Sequence, residues 1–449
     1  MLWQDLSTRL SSIRELPAIA TRHERISFGD VFSRASAVAG LFSRLARERV
    51  GVYFQDGPDL LITLIALDAL GAEAYLIGGE WSSEKAQILA ERFELREVLS
   101  DRAVEGARFT EVRLGDGSAR FPELAKKKES QVVIFTSGTT GEPKGAVHTW
   151  SSLAAGIKVH PKFVGSHWLA TYGLTRFAGL QVFLQAFLNG ACLLISPGSD
   201  VDELARLIER YGVENVSGTP TFWRKFLMGL PPEQRGNLPL KQITLGGEIV
   251  GQVILGALSA SFPQAQITHI YASTEAGVCF SVRDAKEGFP VEYLDNGNER
   301  LAFRVENGEL MIRSKRAMAS YVGQNAPGEW IASGDLVDVR GERVYFLGRK
   351  SDLINVGGSK VFPAEVEEEI KKVPGVVNVR VSGRRSSFAG QLVRAEVVPA
   401  ADRAEAELKA AILKQCEQTL APYKRPRLID FVAALPENES RKIMRSNEE

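Results

Sequence analysis

The stretch Val132-Val133-Ile134-Phe135-Thr136-Ser137-Gly138-Thr139-Thr140-Gly141-Glu142-Pro143-Lys144-Gly145 constrains this chain more than any other. Its apolar, β-branched opening predicts a buried strand, which runs directly into a loop of glycines, hydroxyls and one lysine. Glycines let backbone N–H groups turn inward around an anion, hydroxyls add donors, and a lysine brings a compact positive charge. A loop so composed suits a polyphosphate. It is not a Walker A loop, which needs Gly-Lys-Ser/Thr after four intervening residues; Pro143 stands where the second glycine belongs. The reading without chemistry is a Gly/Thr-rich turn.

A chain of 449 residues exceeds the size at which single cores stop growing, so two or more domains are expected. With 44% apolar and 24% charged residues the composition is that of a folded globular protein, not of a disordered or fibrous one. Lys plus Arg equals Asp plus Glu at 55 each, which leaves no net field to hold a nucleic-acid polymer or an anionic membrane; a small-molecule substrate fits better. Cys192, Cys279 and Cys416 are far apart, without metal-ligand or disulfide spacing, and read as buried inert thiols of a reducing compartment. Residues Met1 to Asp5 lack the layout of a secretion signal, so the cytoplasm is expected. The apolar runs Leu60 to Ile77 and Phe177 to Ile195 carry Asp68, Glu73, Gln181, Gln185 and Asn189, and read as buried core rather than membrane spans.

From Ile26 to Ile195, helical-period segments such as Phe28 to Arg47 alternate with β-rich runs such as Val50 to Phe54, which implies parallel sheets covered by helices. Residues Arg113 to Ser130 read as a solvated connection. Between Glu299 and Tyr345, short alternating strands with turn signals at Asn307-Gly308 and Arg340-Gly341-Glu342 predict a β-rich subdomain. Beyond Asp352 a strand, a Glu-rich helix after Pro363, a strand pair and a helix near Ala404 to Thr419 suffice for a small α+β module. The expected fold is α/β: a large N-terminal domain, residues 1–350, of parallel-rich sheets packed with helices plus the β-rich subdomain, and a small mobile α+β C-terminal domain, residues 351–449. The hinge is expected near Lys350 to Asp352.

The glycine-rich loop resembles the signature T-S-G-T-T-G-x-P-K-G of the adenylate-forming superfamily of acyl-CoA synthetases, adenylation domains and luciferases, and the match is complete. Further landmarks follow in that family's order: Gly246-Gly247-Glu248, Tyr271-Ala272-Ser273-Thr274-Glu275, Ser333-Gly334-Asp335, Gly348-Arg349 and Lys442-Ile443. The resemblance implies ATP, Mg²⁺ and coenzyme A, or a carrier protein's phosphopantetheine, as cofactors and co-substrates. It implies that Thr136, Ser137, Gly138, Thr139, Thr140 and Lys144 hold the phosphates, with Gly247, Glu248, Tyr271, Asp335 and Arg349 completing the nucleotide site. Tyr271 would stack on adenine, Thr274 contact the α-phosphate, Glu275 hold Mg²⁺, and Asp335 accept both ribose hydroxyls. A hard cation bridging phosphates needs oxygen ligands, and one carboxylate often suffices. Without the resemblance, Tyr271 and Glu275 are a β-edge tyrosine and an exposed acid, and Asp335 a turn cap.

Lys442, in Arg441-Lys442-Ile443, matches the family's catalytic lysine, although Arg441 replaces a glycine. A placed ammonium lowers the barrier when a carboxylate attacks the α-phosphorus and charge builds on the phosphoryl oxygens. Gly357-Gly358 resemble the loop lining the family's thiol tunnel, where glycine lets a pantetheine arm pass; a plain hairpin is the other reading. Ser351 stands at the hinge position, which the family usually fills with aspartate or lysine.

The acid pocket is expected from Tyr172, Arg176, Phe177 and Gly246. Arg176 sits where many acyl-CoA synthetases have histidine, and either reads a second carboxylate on the acid or forms a structural ion pair. No acidic residue lies between Val164 and Leu194, which disfavours an α-amino acid. The histidines, His23, His148, His160, His167 and His269, show no ligand or triad spacing and are assigned no chemistry. The function expected is activation of a small carboxylic acid to acyl-AMP and then thioester formation, as an acyl- or aryl-CoA ligase. The alternatives are a stand-alone loader of an acyl carrier protein and a nucleotide-binding regulator whose catalysis has decayed.

Overall fold

The computed structural model describes residues 2–106, 108–112, 129–137, 142–198, 200–386, 390–400 and 403–436. Gly138, Thr139, Thr140 and Lys442 lie outside the described residues, and only the backbone of Ser137 is described. Among the described residues the strands form four sheets.

In the seven-stranded sheet, strand Arg49–Phe54 runs parallel to Glu73–Gly78 and Glu97–Ser100, and Glu73–Gly78 runs parallel to Gln131–Ser137. The eight-stranded sheet has the parallel run Cys192–Ile195, His167–Ala170, Asn215–Gly218, Gln242–Gly246 and Gln266–Ser273. Parallel neighbours need long crossovers, which the alternating helices provide.

One apolar core joins these sheets through helices Phe28–Leu41, Pro58–Leu70 and Phe177–Leu188, whose side chains pack with Val52 and Ile134 of one sheet and Trp168 and Leu193 of the other. Helix Pro58–Leu70 starts with proline in its first turn, stops at Gly71 (φ 67°), and is buried at every position from Leu60 to Leu70. A helix apolar all round belongs inside a protein. This accounts for the two membrane-like runs: each folds as a helix, a glycine-containing turn and a strand. Among the described residues no helix is long and apolar enough to cross a membrane.

Helix Phe28–Leu41 opens on a Ser27/Asp30 capping box and stops short of the expected Arg47. The chain turns through Ser43–Leu45, and Arg47 takes a positive φ of 65° on the way into strand Arg49–Phe54.

The β-rich segment forms a five-stranded antiparallel sheet with turns where the sequence places them. Asn307 and Gly308 take φ of 52° and 79° between paired Glu306 and Glu309, and Gly341 (φ 57°) follows Arg340, which pairs with Arg343. Beyond it, strands Ile354–Val356, Ser359–Val361, Val376–Ser386, Gly390–Pro399 and Leu428–Phe431 make a separate sheet. Helices Pro363–Lys371 and Glu405–Thr419 pack their apolar faces on it, around Val366, Ile370, Leu408 and Ile412.

Candidate active site

The strand before the glycine-rich loop does not lead into a helix. Gln131–Ser137 pairs antiparallel with Pro143–Thr149, so Thr136 stands directly opposite Lys144. The cation and the first hydroxyl of the loop are therefore cross-strand neighbours, and positive charge comes from Lys144 rather than from a helix N-terminus.

The edge strand Ser320–Tyr321 extends the same sheet by pairing with Pro143–Thr149. The Tyr321 phenol donates to Oε1 of Glu275 at 2.8 Å, and Lys144 Nζ lies 5.6 Å from the centre of its ring. Burial, and then the negative charge of Glu275, raise the pKa of this phenol, so it keeps its proton at any working pH.

Glu275 is fixed at its backbone too, where its carbonyl accepts from Met318 N at 2.9 Å. One residue earlier, the Thr274 carbonyl accepts from His148 Nε2 at 2.7 Å, while His148 Nδ1 faces Ser152 Oγ at 3.2 Å. A carbonyl only accepts, so Nε2 carries the proton. Burial lowers the pKa of this imidazole below its ordinary 6.5, and the ring is neutral. Among the described residues the Thr274 hydroxyl has no hydrogen-bond partner and stays open to a ligand.

A second group of predicted residues meets on the five-stranded sheet. Asp335 and Arg349 are cross-strand partners; their side chains pair, Nε to Oδ1, at 2.8 Å, and Arg349 Nη1 also donates to the Ser333 carbonyl. Oδ2 of Asp335 accepts from the Tyr271 phenol at 2.6 Å. The Tyr271 ring packs against Phe280 and Phe346, with centroids 5.2 and 4.8 Å away. Burial, followed by the Asp335 charge, pushes the Tyr271 phenol well above its ordinary range.

Glu248 follows Gly247, whose φ is 85°. Oε2 of Glu248 accepts from the backbone N and hydroxyl of Thr221, capping helix Pro220–Gly229, whereas Oε1 is buried with no partner among the described residues. A buried acceptor without a donor is costly unless a ligand supplies one.

Tyr172 donates to the Gly246 carbonyl at 3.2 Å, and burial raises its pKa. Tyr172, Ala272 and Val278 pack on the core that contains Phe177, whose ring lies 5.9 Å from His148. Helix Phe177–Leu188 approaches so closely that a Cβ on Gly179 would stand 2.1 Å from the Gly173 carbonyl oxygen, so only glycine fits there. Arg176 is engaged: its guanidinium pairs with Glu80, donates to the Phe135 carbonyl at 3.3 Å and sits over the Trp81 ring.

Two family descriptions match the chain, AMP-binding enzyme over residues 10–322 and AMP-binding enzyme C-terminal domain over residues 365–442. The chain belongs to the AMP-binding enzyme family. This AMP-binding enzyme is 28% identical to a 2-succinylbenzoate–CoA ligase of Bacillus cytotoxicus, over 95% of this chain and 94% of the relative. Its fold is that of an anthranilate CoA ligase solved with anthranoyl-AMP, at a TM-score of 0.84 and 20% identity, covering 98% of this chain and 95% of that one. It also matches o-succinylbenzoate coenzyme A synthetase from Bacillus subtilis solved with ATP and magnesium ion, at a TM-score of 0.79 and 21% identity, covering 98% of each.

The residues of this AMP-binding enzyme fit a nucleotide and its cation. Glu248 offers an open buried acceptor, Thr274 an open hydroxyl and Lys144 a cation. Among the described residues no group of three or more His, Cys, Asp or Glu is placed to hold a metal. The carboxylate of Glu275 would suit Mg²⁺, a hard cation that takes oxygen ligands and would offset phosphate charge.

Gly357 and Gly358 form the turn between strands Ile354–Val356 and Ser359–Val361, with φ of 56° and 87°. Hairpin geometry alone asks for glycine there. Lys350–Asp352 is a single 3₁₀ turn in which Lys350 reaches Glu309 at 3.1 Å. Cys192, Cys279 and Cys416 are buried, with pKa values pushed up to about 12, 12 and 11, as inert thiols require. His148 and Tyr321 entered the site unannounced, because nothing in residue type or spacing distinguishes them from structural side chains.

Proposed function

We propose that this AMP-binding enzyme is an acid–thiol ligase whose acid is an aromatic dicarboxylate of the 2-succinylbenzoate kind and whose thiol is coenzyme A. The observation that carries the adenylation reading is the convergence of Thr136 and Lys144 with Glu275 through Tyr321, beside the Tyr271–Asp335–Arg349 group. Such an arrangement offers donors for phosphates, a carboxylate for a cation and a carboxylate for a ribose. The choice of acid and of coenzyme A is supported by the activity in the relative's name and by the extent of its match.

In the first step a carboxylate oxygen of the acid attacks the α-phosphorus of ATP, the bond to the pyrophosphate oxygen breaks, and acyl-AMP forms. Mg²⁺, when bound, offsets phosphate charge. Lys144 and the Thr274 hydroxyl hold phosphate oxygens, and Lys442 brings an ammonium to the charge that grows on them. In the second step the thiol sulfur attacks the acyl carbonyl and AMP leaves. The small domain, residues 351–449, turns about residues 350–352 between the steps, and the Gly357-Gly358 turn then lines the thiol's path.

The test is acid-dependent pyrophosphate exchange with 2-succinylbenzoate, benzoate, anthranilate, malonate and a fatty acid, followed by detection of the coenzyme A thioester. The reading expects 2-succinylbenzoate to be preferred. Preference for a monocarboxylate overturns the acid, thioester formation only on a carrier protein overturns the acceptor, and absence of exchange with every acid overturns the ligase.

A further inference from the structure

Tyr321 stands where two separate motifs meet. Its backbone is tied to the strand that follows the glycine-rich loop: Tyr321 pairs with Ala146, Ala319 N donates to the Val147 carbonyl, and Val322 N donates to the Gly145 carbonyl, both at 2.8 Å. Its side chain donates to Oε1 of Glu275 at 2.8 Å, and Lys144 Nζ of the paired strand lies 5.6 Å from the centre of its ring.

We propose that Tyr321 is a positioning residue that locks the metal-holding carboxylate of Glu275 to the strand carrying Lys144, so that ATP and its Mg²⁺ meet groups already held in one spacing. The inference rests on the reading of Glu275 given above. A glutamate side chain has several rotatable bonds, and binding a cation on it costs rotamer freedom unless that freedom is already gone. With Oε1 held by the phenol, Oε2 is presented in a defined place. With the Tyr321 backbone paired to the strand that carries Lys144, that place is fixed relative to the phosphate loop. Hydrogen bonds to an ionised acceptor are the stronger kind, which suits the phenol to this task.

The Tyr321→Phe variant keeps the ring beside Lys144 and the strand pairing while removing only the hydroxyl. ATP binding is measured by calorimetry in excess Mg²⁺ and in EDTA, with no turnover. The expected result is binding weakened about tenfold in Mg²⁺ and unchanged in EDTA, with the free protein still melting in one cooperative transition. In a Glu275→Gln background the same substitution should add nothing. Equal weakening in both conditions, no weakening, or additivity with Glu275→Gln overturns the inference while leaving the ligase reading intact. A wild-type protein whose ATP affinity ignores Mg²⁺ overturns the role of Glu275 and this inference with it.

Discussion

The phenol of Tyr271 donates to Oδ2 of Asp335 at 2.6 Å across 64 positions of sequence, tying the eight-stranded sheet to the five-stranded one beside the proposed nucleotide site. Asp335 thus has one oxygen on a tyrosine and the other on Arg349. Tyr271→Phe keeps the packing on Phe280 and Phe346 but frees the carboxylate. The expected outcome is a three- to tenfold rise in the KM for ATP with kcat little changed, a loss of about 1 kcal/mol. Pyrophosphate exchange at varied ATP checks it, and an unaltered KM would remove the bond from nucleotide binding.

Arg176 and Glu80 supply a second test. The Arg176 side chain is 12% exposed and that of Glu80 38%, so their pair is worth about 1 kcal/mol after solvent screening. Arg176→Ala and Glu80→Gln should each lower the melting temperature, the double variant no further than the worse single one, and the ranking of acids should be preserved. A selective loss of dicarboxylates in Arg176→Ala would instead make the arginine a reader of substrate.

His148 carries a pH prediction. Burial holds its folded pKa below the ordinary 6.5, and burial does the same for His167 and His269. Below 6.5 the unfolded chain binds protons that the folded one refuses, so stability falls as pH drops and is flat above that value. His148→Gln, whose amide can still donate to the Thr274 carbonyl, should flatten part of this slope between pH 5 and 6.5. Melting temperatures across that range test it; an unchanged slope means that His148 is not among the groups responsible.

Lys442 is tested by Lys442→Ala, expected to reduce adenylation at least a hundredfold while ATP binding in calorimetry stays within about twofold. Exchange at the wild-type rate would dismiss the lysine from the mechanism.

The sequence by itself determined the chemistry that lies in consecutive residues. The strand leading into the glycine-rich loop, the order of the motifs, the Asn307-Gly308 and Gly341 turns and the alternation of helix and strand all follow from local pattern, because turn conformation and sheet or helix period depend on near neighbours. Only the tertiary structure decided which motif residues touch. Antiparallel pairing set Thr136 opposite Lys144, and long-range packing gave Glu275 the Tyr321 phenol, Thr274 the His148 imidazole and Arg176 the Glu80 carboxylate. Such contacts are set by sheet register and by the need to satisfy every buried polar group, and neither leaves a period in the chain.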